Sequence, residues 1–155
     1  MNIEIFQSKK LNKNNNIKTD PITSEIIRNS LNSAAEQMKK ALVRSAFSPI
    51  IYEVLDFASA IYDKNYCMLS QSPSLPGFMG TLSFCVEQAV KEVGGEKNIF
   101  DGDIIIYNNP YGSGSHSQDA ALIKPVFIEK KLIGYTAIKA HWLDTGGKEP
   151  YSTDT

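Results

Sequence analysis

Two runs of mostly apolar, β-rich residues, Ala120 to Ile128 and Leu132 to Ala140, are separated by the polar Glu129-Lys130-Lys131. This pattern predicts a β-hairpin. A hairpin constrains a chain tightly, because choosing the turn centre sets every cross-strand pair and the face each side chain takes. Folding about Lys130 places Asp119 opposite His141, and His116 opposite Asp144. These four residues belong to a pattern that occurs twice, His116-Ser-Gln-Asp119 and His141-Trp-Leu-Asp144, and it contains both histidines of the chain. Directly opposed residues have Cβ atoms about 4.5–5.5 Å apart, close enough to reach one ion. Imidazole and carboxylate together suit Zn, Mn or Fe, and they can also share a proton. Spacing alone leaves two readings open: a shared metal site at the strand ends, or two unrelated histidines, one of them buried against Trp142. Pro125 has no amide to donate, so a bulge or register slip is expected near it.

The 155 residues allow one ordinary domain with a core, and 42% apolar with 21% charged residues fits a globular protein. A net charge of −1 argues against general nucleic-acid binding. Cys67 and Cys85 form no C-x-x-C pair and no disulfide framework, and they read as thiols in a reducing compartment. No apolar run approaches the roughly 20 residues that span a bilayer. The start lacks the apolar centre of a secretory signal, so the expectation is a cytoplasmic protein.

Residues 1–19 read as a polar, basic, disordered lead-in, and the fold is expected to occupy 20–155. Asp20-Pro21 is a helix start, a capping carboxylate followed by proline at the first position. Ile22, Ile26, Leu31, Met38 and Leu42 recur on one helical face, carrying a core-building helix towards Phe47 until Ser48-Pro49 stops it. Strands are predicted over Ile50 to Leu55 and Ala58 to Tyr62, with a turn at Asp63-Lys64-Asn65. Ser70 to Gly80, rich in Ser, Pro and Gly, reads as an ordered loop. A second helix covers Leu82 to Val93 and ends at Gly94-Gly95. The strand Asp103 to Tyr107 has a core, Ile104-Ile105-Ile106, that reads as buried on both faces. The predicted class is α+β: a long N-terminal helix packed on a mixed or antiparallel sheet, with the candidate site at the strand ends of the hairpin.

Asn108-Asn-Pro-Tyr-Gly-Ser-Gly-Ser-His116 leaves that strand through small residues and runs into the first histidine. Glycine lets a backbone approach a ligand, and exposed amides can hold an anion, so Asn108, Gly112, Ser113, Gly114 and Ser115 are substrate-binding candidates. Glu53 and Asp56, in an otherwise apolar stretch, either sit at a strand end on the surface or face the pocket. Lys148 either balances a substrate carboxylate or is solvated. No G-x-x-x-x-G-K-[S/T] loop occurs, which argues against ATP binding in that manner.

Four segments occur together in order: Asp20-Pro21-x-x-x-Glu25-Ile26-Ile27-Arg28, Glu53-x-x-Asp56-Phe57, Asn108-x-Pro110-Tyr111-x-x-Gly114-Ser115-His116-x-x-Asp119, and Ala140-His141-x-x-Asp144-x-Gly146-Gly147. Over residues 20–155 the set resembles the N-terminal part of the hydantoinase B/oxoprolinase family. That family includes B-type subunits of ATP-dependent hydantoinases and 5-oxoprolinases, and the related large subunits of acetone and acetophenone carboxylases. The resemblance implies that His116, Asp119 and His141 ligate a catalytic divalent metal, Mn, Zn or Fe. Asp144 is then the expected catalytic neighbour, orienting His141 or serving as a fourth ligand. The resemblance also implies a hetero-oligomer, in which an actin-like A-type ATPase subunit binds ATP and Mg and phosphorylates a cyclic amide. The B-type site then delivers water and opens the ring. In the carboxylase branch a ketone and carbonate meet at the same kind of site.

This chain has Asn108-Asn109-Pro110 where the family commonly has Asn-Asp-Pro, His141-Trp142 where a His-His pair is frequent, and no histidine near Phe78. Trp142 and Phe78 make the expected pocket less polar and lean towards the ketone-carboxylase side. Family B-type subunits are several-fold longer. The chain therefore reads as an N-terminal fragment, a split reading frame or a truncated piece, inactive by itself. The alternatives to a cyclic-amide hydrolase are a ketone carboxylase subunit and a non-catalytic remnant.

Overall fold

Asp20 opens the first helix as its sequence suggests: its Oδ2 accepts from the Thr23 amide at 3.1 Å, and Pro21 occupies the first helical position. A computed structural model of the chain describes residues 20–113 and 116–149, so the predicted lead-in over 1–19 lies outside the described residues. The elements follow as α1 (Pro21–Ser45), α2 (Pro49–Tyr52), β1 (Phe57–Asp63), β2 (Met68–Gln71), α3 (Pro76–Glu92), β3 (Ile105–Tyr107), α4 (Pro110–Ser113), β4 (Asp119–Ile128) and β5 (Lys131–His141). The five strands form one antiparallel sheet in the order β2-β1-β5-β4-β3. The α+β class with a long N-terminal helix is what the structure has.

The core lies between α3 and one face of the sheet. Phe78, Leu82, Cys85, Val86, Ala89 and Val90 form a single stripe on α3 and are buried. They pack on Ala58, Ala60 and Tyr62 of β1, Ala121 and Ile123 of β4, and Tyr135 and Ala137 of β5. On the opposite face α1 covers β1 and β2, where Ser70 Oγ donates to Asn32 Oδ1 at 2.7 Å. In α1, Ala35 is the buried residue; Leu31, Met38 and Leu42 are half-buried, whereas Ile22 and Ile26 are exposed. The expected apolar face is thus covered only in its C-terminal part. No helix among the described residues is long and apolar enough to cross a membrane.

Three predicted elements differ, and proline or edge position accounts for each. Ser48-Pro49 ends α1 but also starts the single turn of α2, so Pro49–Tyr52 is helical where a strand was expected. Proline excludes a helix interior yet suits a first turn. The same ambiguity operates at Pro76, which opens α3 six residues before the predicted Leu82, while the stretch read as a loop from Ser70 begins inside β2. The Ile104-Ile105-Ile106 run is an edge strand covered on one side only. Ile104 and Ile106 are exposed, since α1 does not extend over β3.

The hairpin keeps the predicted register and carries the bulge expected near Pro125. Its turn has two residues, Glu129 and Lys130, both at positive φ (49° and 66°), the pattern of the tight hairpin turns that match strand twist. Next to the turn Ile128 pairs with Lys131 and Phe127 with Leu132. Beyond a bulge between Val126 and Phe127, Val126 pairs with Gly134. Ile133 is the inserted residue, and the bulge lies beside Pro125. From there the pairing reaches Asp119 opposite His141.

Candidate metal centre

β4 begins at Asp119 and β5 ends at His141, so the two residues close the ladder on the face that α3 covers. The Asp119 side chain is 0% exposed; its Oδ1 lies 2.8 Å from His141 Nδ1. Its Oδ2 accepts from the His116 amide at 2.9 Å and lies 3.3 Å from His116 Nδ1. The Asp119 amide donates back to the His116 carbonyl at 3.1 Å, so residues 116–119 form a tight turn that folds the first histidine over the carboxylate. The two imidazoles meet edge to face with centroids 6.1 Å apart. One ligand atom from each of His116, Asp119 and His141 lies within 4.8 Å of the others. Two nitrogens and one carboxylate oxygen in this arrangement fit a borderline divalent cation.

Asp56 joins the triad from the loop before β1. Its carbonyl accepts from the His141 amide at 3.1 Å, which extends the β1–β5 ladder by one bond and fixes His141 from its second side. Its Oδ1 is buried with no hydrogen-bond partner among the described residues. Burial pushes the Asp56 carboxyl above the usual carboxylate range; His141 pulls it back, Asp119 pushes it further, and His116 opposes. An uncompensated buried carboxylate oxygen is costly unless something shares it, so its place beside this cluster is informative.

The other predicted residues separate. Asp144 is exposed, and its Oδ1 accepts from the Gly146 amide at 2.8 Å in a turn of its own. The ladder ends one bond beyond Asp119 and His141, from the Trp142 amide to the Gln118 carbonyl at 2.9 Å, so His116 does not face Asp144 across strands; it turns onto Asp119 instead. Glu53 caps the end of α2 and is exposed, apart from the triad. Asn108 donates from Nδ2 to the Ser117 carbonyl at 3.0 Å, beside His116. Gly112 lies against the Tyr107 hydroxyl, which a Cβ there would strike. Gly114, Ser115 and the Ser113 side chain lie outside what is described.

Sequence reasoning passed over three groups. Lys139 is fully buried two residues before His141; its Nζ lies 3.4 Å from Thr81 Oγ1 and 5.2 Å from the centroid of Phe78. Burial lowers its pKa, while Cys85 and Asp119 act the other way. A lysine at an inward position of an apolar strand, in step with Ala137 and His141, was the available signal. Phe78 itself is core beneath Lys139 rather than pocket lining. Ser48 is the second group: its Oγ is buried without a partner among the described residues, at an open groove of about 380 Å³ beside His141 that Phe47, Ile51, Trp142 and Leu143 border. Glu92, at the end of α3, is the third; it receives the Tyr107 hydroxyl at 2.7 Å.

Comparison with known proteins identifies the family and the fold. The profile of the hydantoinase B/oxoprolinase family matches residues 20–155. An uncharacterised protein of Methanocaldococcus jannaschii is 39% identical over 134 residues, which are 86% of this chain and 24% of that protein. The crystal structure of the ATP-dependent caprolactamase from Pseudomonas jessenii superimposes with a TM-score of 0.73 at 31% identity, covering 84% of this chain and 22% of that one. A nucleotide-free acetone carboxylase shares the fold with a TM-score of 0.75 at 22% identity, over 84% of this chain and 17% of that one. The chain therefore spans a quarter or less of the length of these relatives. With its match over residues 20–155, this chain belongs to the hydantoinase B/oxoprolinase family.

Proposed function

We propose that the chain carries the metal-holding centre of a B-type subunit in an ATP-dependent cyclic-amide hydrolase, acting on lactam, hydantoin or 5-oxoproline-like rings. The observation that supports this most is the convergence of His116, Asp119 and His141 within 4.8 Å in a member of this family. The donor set fits Mn, Zn or Fe, and the orphaned Asp56 Oδ1 adds an acceptor beside it. A divalent cation held there would polarise a carbon–oxygen bond and acidify water. Asp119, with one oxygen against each Nδ1, sets where the two imidazoles stand. Asp56, with its carboxyl raised by burial, takes the proton from water as it adds to the activated ring carbon and passes it to the ring nitrogen as the carbon–nitrogen bond breaks.

The open groove bordered by Phe47, Ile51, Trp142 and Leu143 receives the hydrocarbon part of the ring, with Ser48 as a hydrogen-bonding group and Asp144 at the rim. Asn108 and Gly112 shape the approach beside His116, Ser113, Gly114 and Ser115 are kept as substrate-binding candidates on the sequence alone, and Glu53 stands outside it. ATP and Mg belong to an A-type partner subunit in a hetero-oligomer. Likeness to caprolactamase at 31% identity favours the hydrolase over the carboxylase, whose 22% likeness speaks for the fold alone.

Elemental mass spectrometry of the purified chain, beside a His116→Ala/His141→Ala double variant, tests the reading. Near-stoichiometric metal in the wild type and none in the variant is expected; equal, negligible metal in both would overturn it. With this segment in a full-length B-type subunit, the A-type partner, ATP and a lactam, ring-opened product should form without bicarbonate. Bicarbonate-dependent ATP consumption with acetone would select the carboxylase instead.

A further inference from the structure

We infer that Glu92, the last residue of α3, is a positioning residue that holds His116 in place through Tyr107, Asn109 and Asn108. The inference rests on the metal reading above. Glu92 Oε1 accepts from the Tyr107 hydroxyl at 2.7 Å and from Asn109 Nδ2 at 3.4 Å. It therefore grips both neighbours of Asn108. Asn108 in turn donates from Nδ2 to the Ser117 carbonyl at 3.0 Å, one residue past His116. The path is short: carboxylate to residues 107 and 109, the side chain between them to residue 117, and so to the histidine.

Three further observations point the same way. A carboxylate in the last turn of a helix opposes the helix dipole, so Glu92 breaks a local rule, and such breaks occur where another contact compensates. Gly112 leaves the space that the Tyr107 hydroxyl fills on its way to Glu92, and a Cβ there would collide with it. Burial first, then the bond to Glu92, pushes the Tyr107 phenol up to about 12, so it stays a donor at neutral pH. Asn109 meanwhile closes α4 through Tyr111 N to its Oδ1 at 3.1 Å and Gly112 N to its carbonyl at 3.1 Å. Glu92 thus ties the turn preceding His116 to the α3 core.

The test uses Glu92→Ala, Glu92→Gln and the milder Tyr107→Phe, which removes a single hydroxyl. In the metal-free chain, amide hydrogen exchange by NMR should rise about tenfold at Tyr111 and Gly112 in Glu92→Ala and Tyr107→Phe. Exchange at Tyr135 in the core should not change, and Glu92→Gln, whose amide oxygen still accepts from Tyr107, should stay near wild type. Unchanged exchange at Tyr111 and Gly112 overturns the inference whether or not the chain takes metal. Mn²⁺ titration followed by water-proton relaxation gives the second readout. Glu92→Ala should weaken Mn²⁺ about tenfold in the wild-type background and less than about twofold in a His116→Ala background. An equal loss in both backgrounds would mean a general structural effect and would also overturn it. A wild type that takes no Mn²⁺ defeats the metal reading instead, and exchange alone then decides for or against Glu92.

Discussion

His141 and His116 begin identical four-residue patterns, yet the fold supports them in different ways. His141 ends an eleven-residue strand, with its side chain 19% exposed and its amide bonded to the Asp56 carbonyl. His116 stands on a turn after α4 with its side chain 74% exposed, held by the Asp119 carboxylate and by the nearby grip of Asn108 on Ser117. One ligand is placed by sheet register, which many bonds enforce together. The other is placed by a few side-chain hydrogen bonds, each of which can be lost separately. A site of this build has a rigid half and an adjustable half. The adjustable half is the one whose neighbours determine affinity.

The largest expected effect comes from the residue both halves share. Asp119→Ala removes the acceptor for the part-buried His116 amide bond and the partner of His141. It should lower Mn²⁺ affinity by more than about 100-fold, beyond the usual cost of losing an outer partner. It should also lower stability by about 1–3 kcal/mol, read by urea unfolding of the metal-free chain. Retention of Mn²⁺ affinity would show that Asp119 is structural only.

The two histidines themselves sharpen the contrast. His141→Ala and His116→Ala should each weaken Mn²⁺ binding by less than Asp119→Ala does, to an affinity still measurable by titration, but they should differ in stability. The half-buried His141 should cost about 1 kcal/mol, and the exposed His116 less than about 0.5 kcal/mol. Equal stability losses would mean that the loop arm is as firmly built as the strand arm.

The smallest effect lies at the other end of the hairpin. Glu129 and Lys130 hold left-handed conformations that cost ordinary side chains about 1–2 kcal/mol each relative to glycine. Glu129→Asn with Lys130→Gly should stabilise the chain by about 1 kcal/mol, visible as a higher Tm. Metal affinity should not move, because the turn lies about 30 Å along the strands from the site. A change in affinity would mean that the turn, rather than the bulge and β1, sets the register at His141.

Much of this arrangement was legible in the residues. Apolar alternation around a polar turn announces the hairpin, Asp20-Pro21 announces α1, and the twin patterns bring Asp119 to His141. The register was reached by a compensation that periodicity does not reveal. A regular ladder continued from the two-residue turn would pair Asp119 with Ala140 and send His141 to the other face. The inserted Ile133 restores it. Proline concealed α2 and the start of α3, because the same ring that stops one helix opens another. The triple isoleucine of β3 suggested two covered faces, whereas only neighbouring elements decide whether a strand is an edge.

By itself the sequence determined the local propensities: which segments extend or coil, where helices begin, and that both histidines come with a carboxylate three residues on. These depend on interactions within a few residues, and they survive in any context. Tertiary structure decided which carboxylate turns inward. Asp119 is buried between two imidazoles and Asp56 carries an orphaned oxygen beside them, while Asp144 stays in solvent bonded to its own turn. It also decided that Glu92 and Lys139, distant or concealed in the chain, lie within reach of the site's supports. Burial and hydrogen-bond partners are properties of packing between segments far apart in sequence, and no local pattern specifies them.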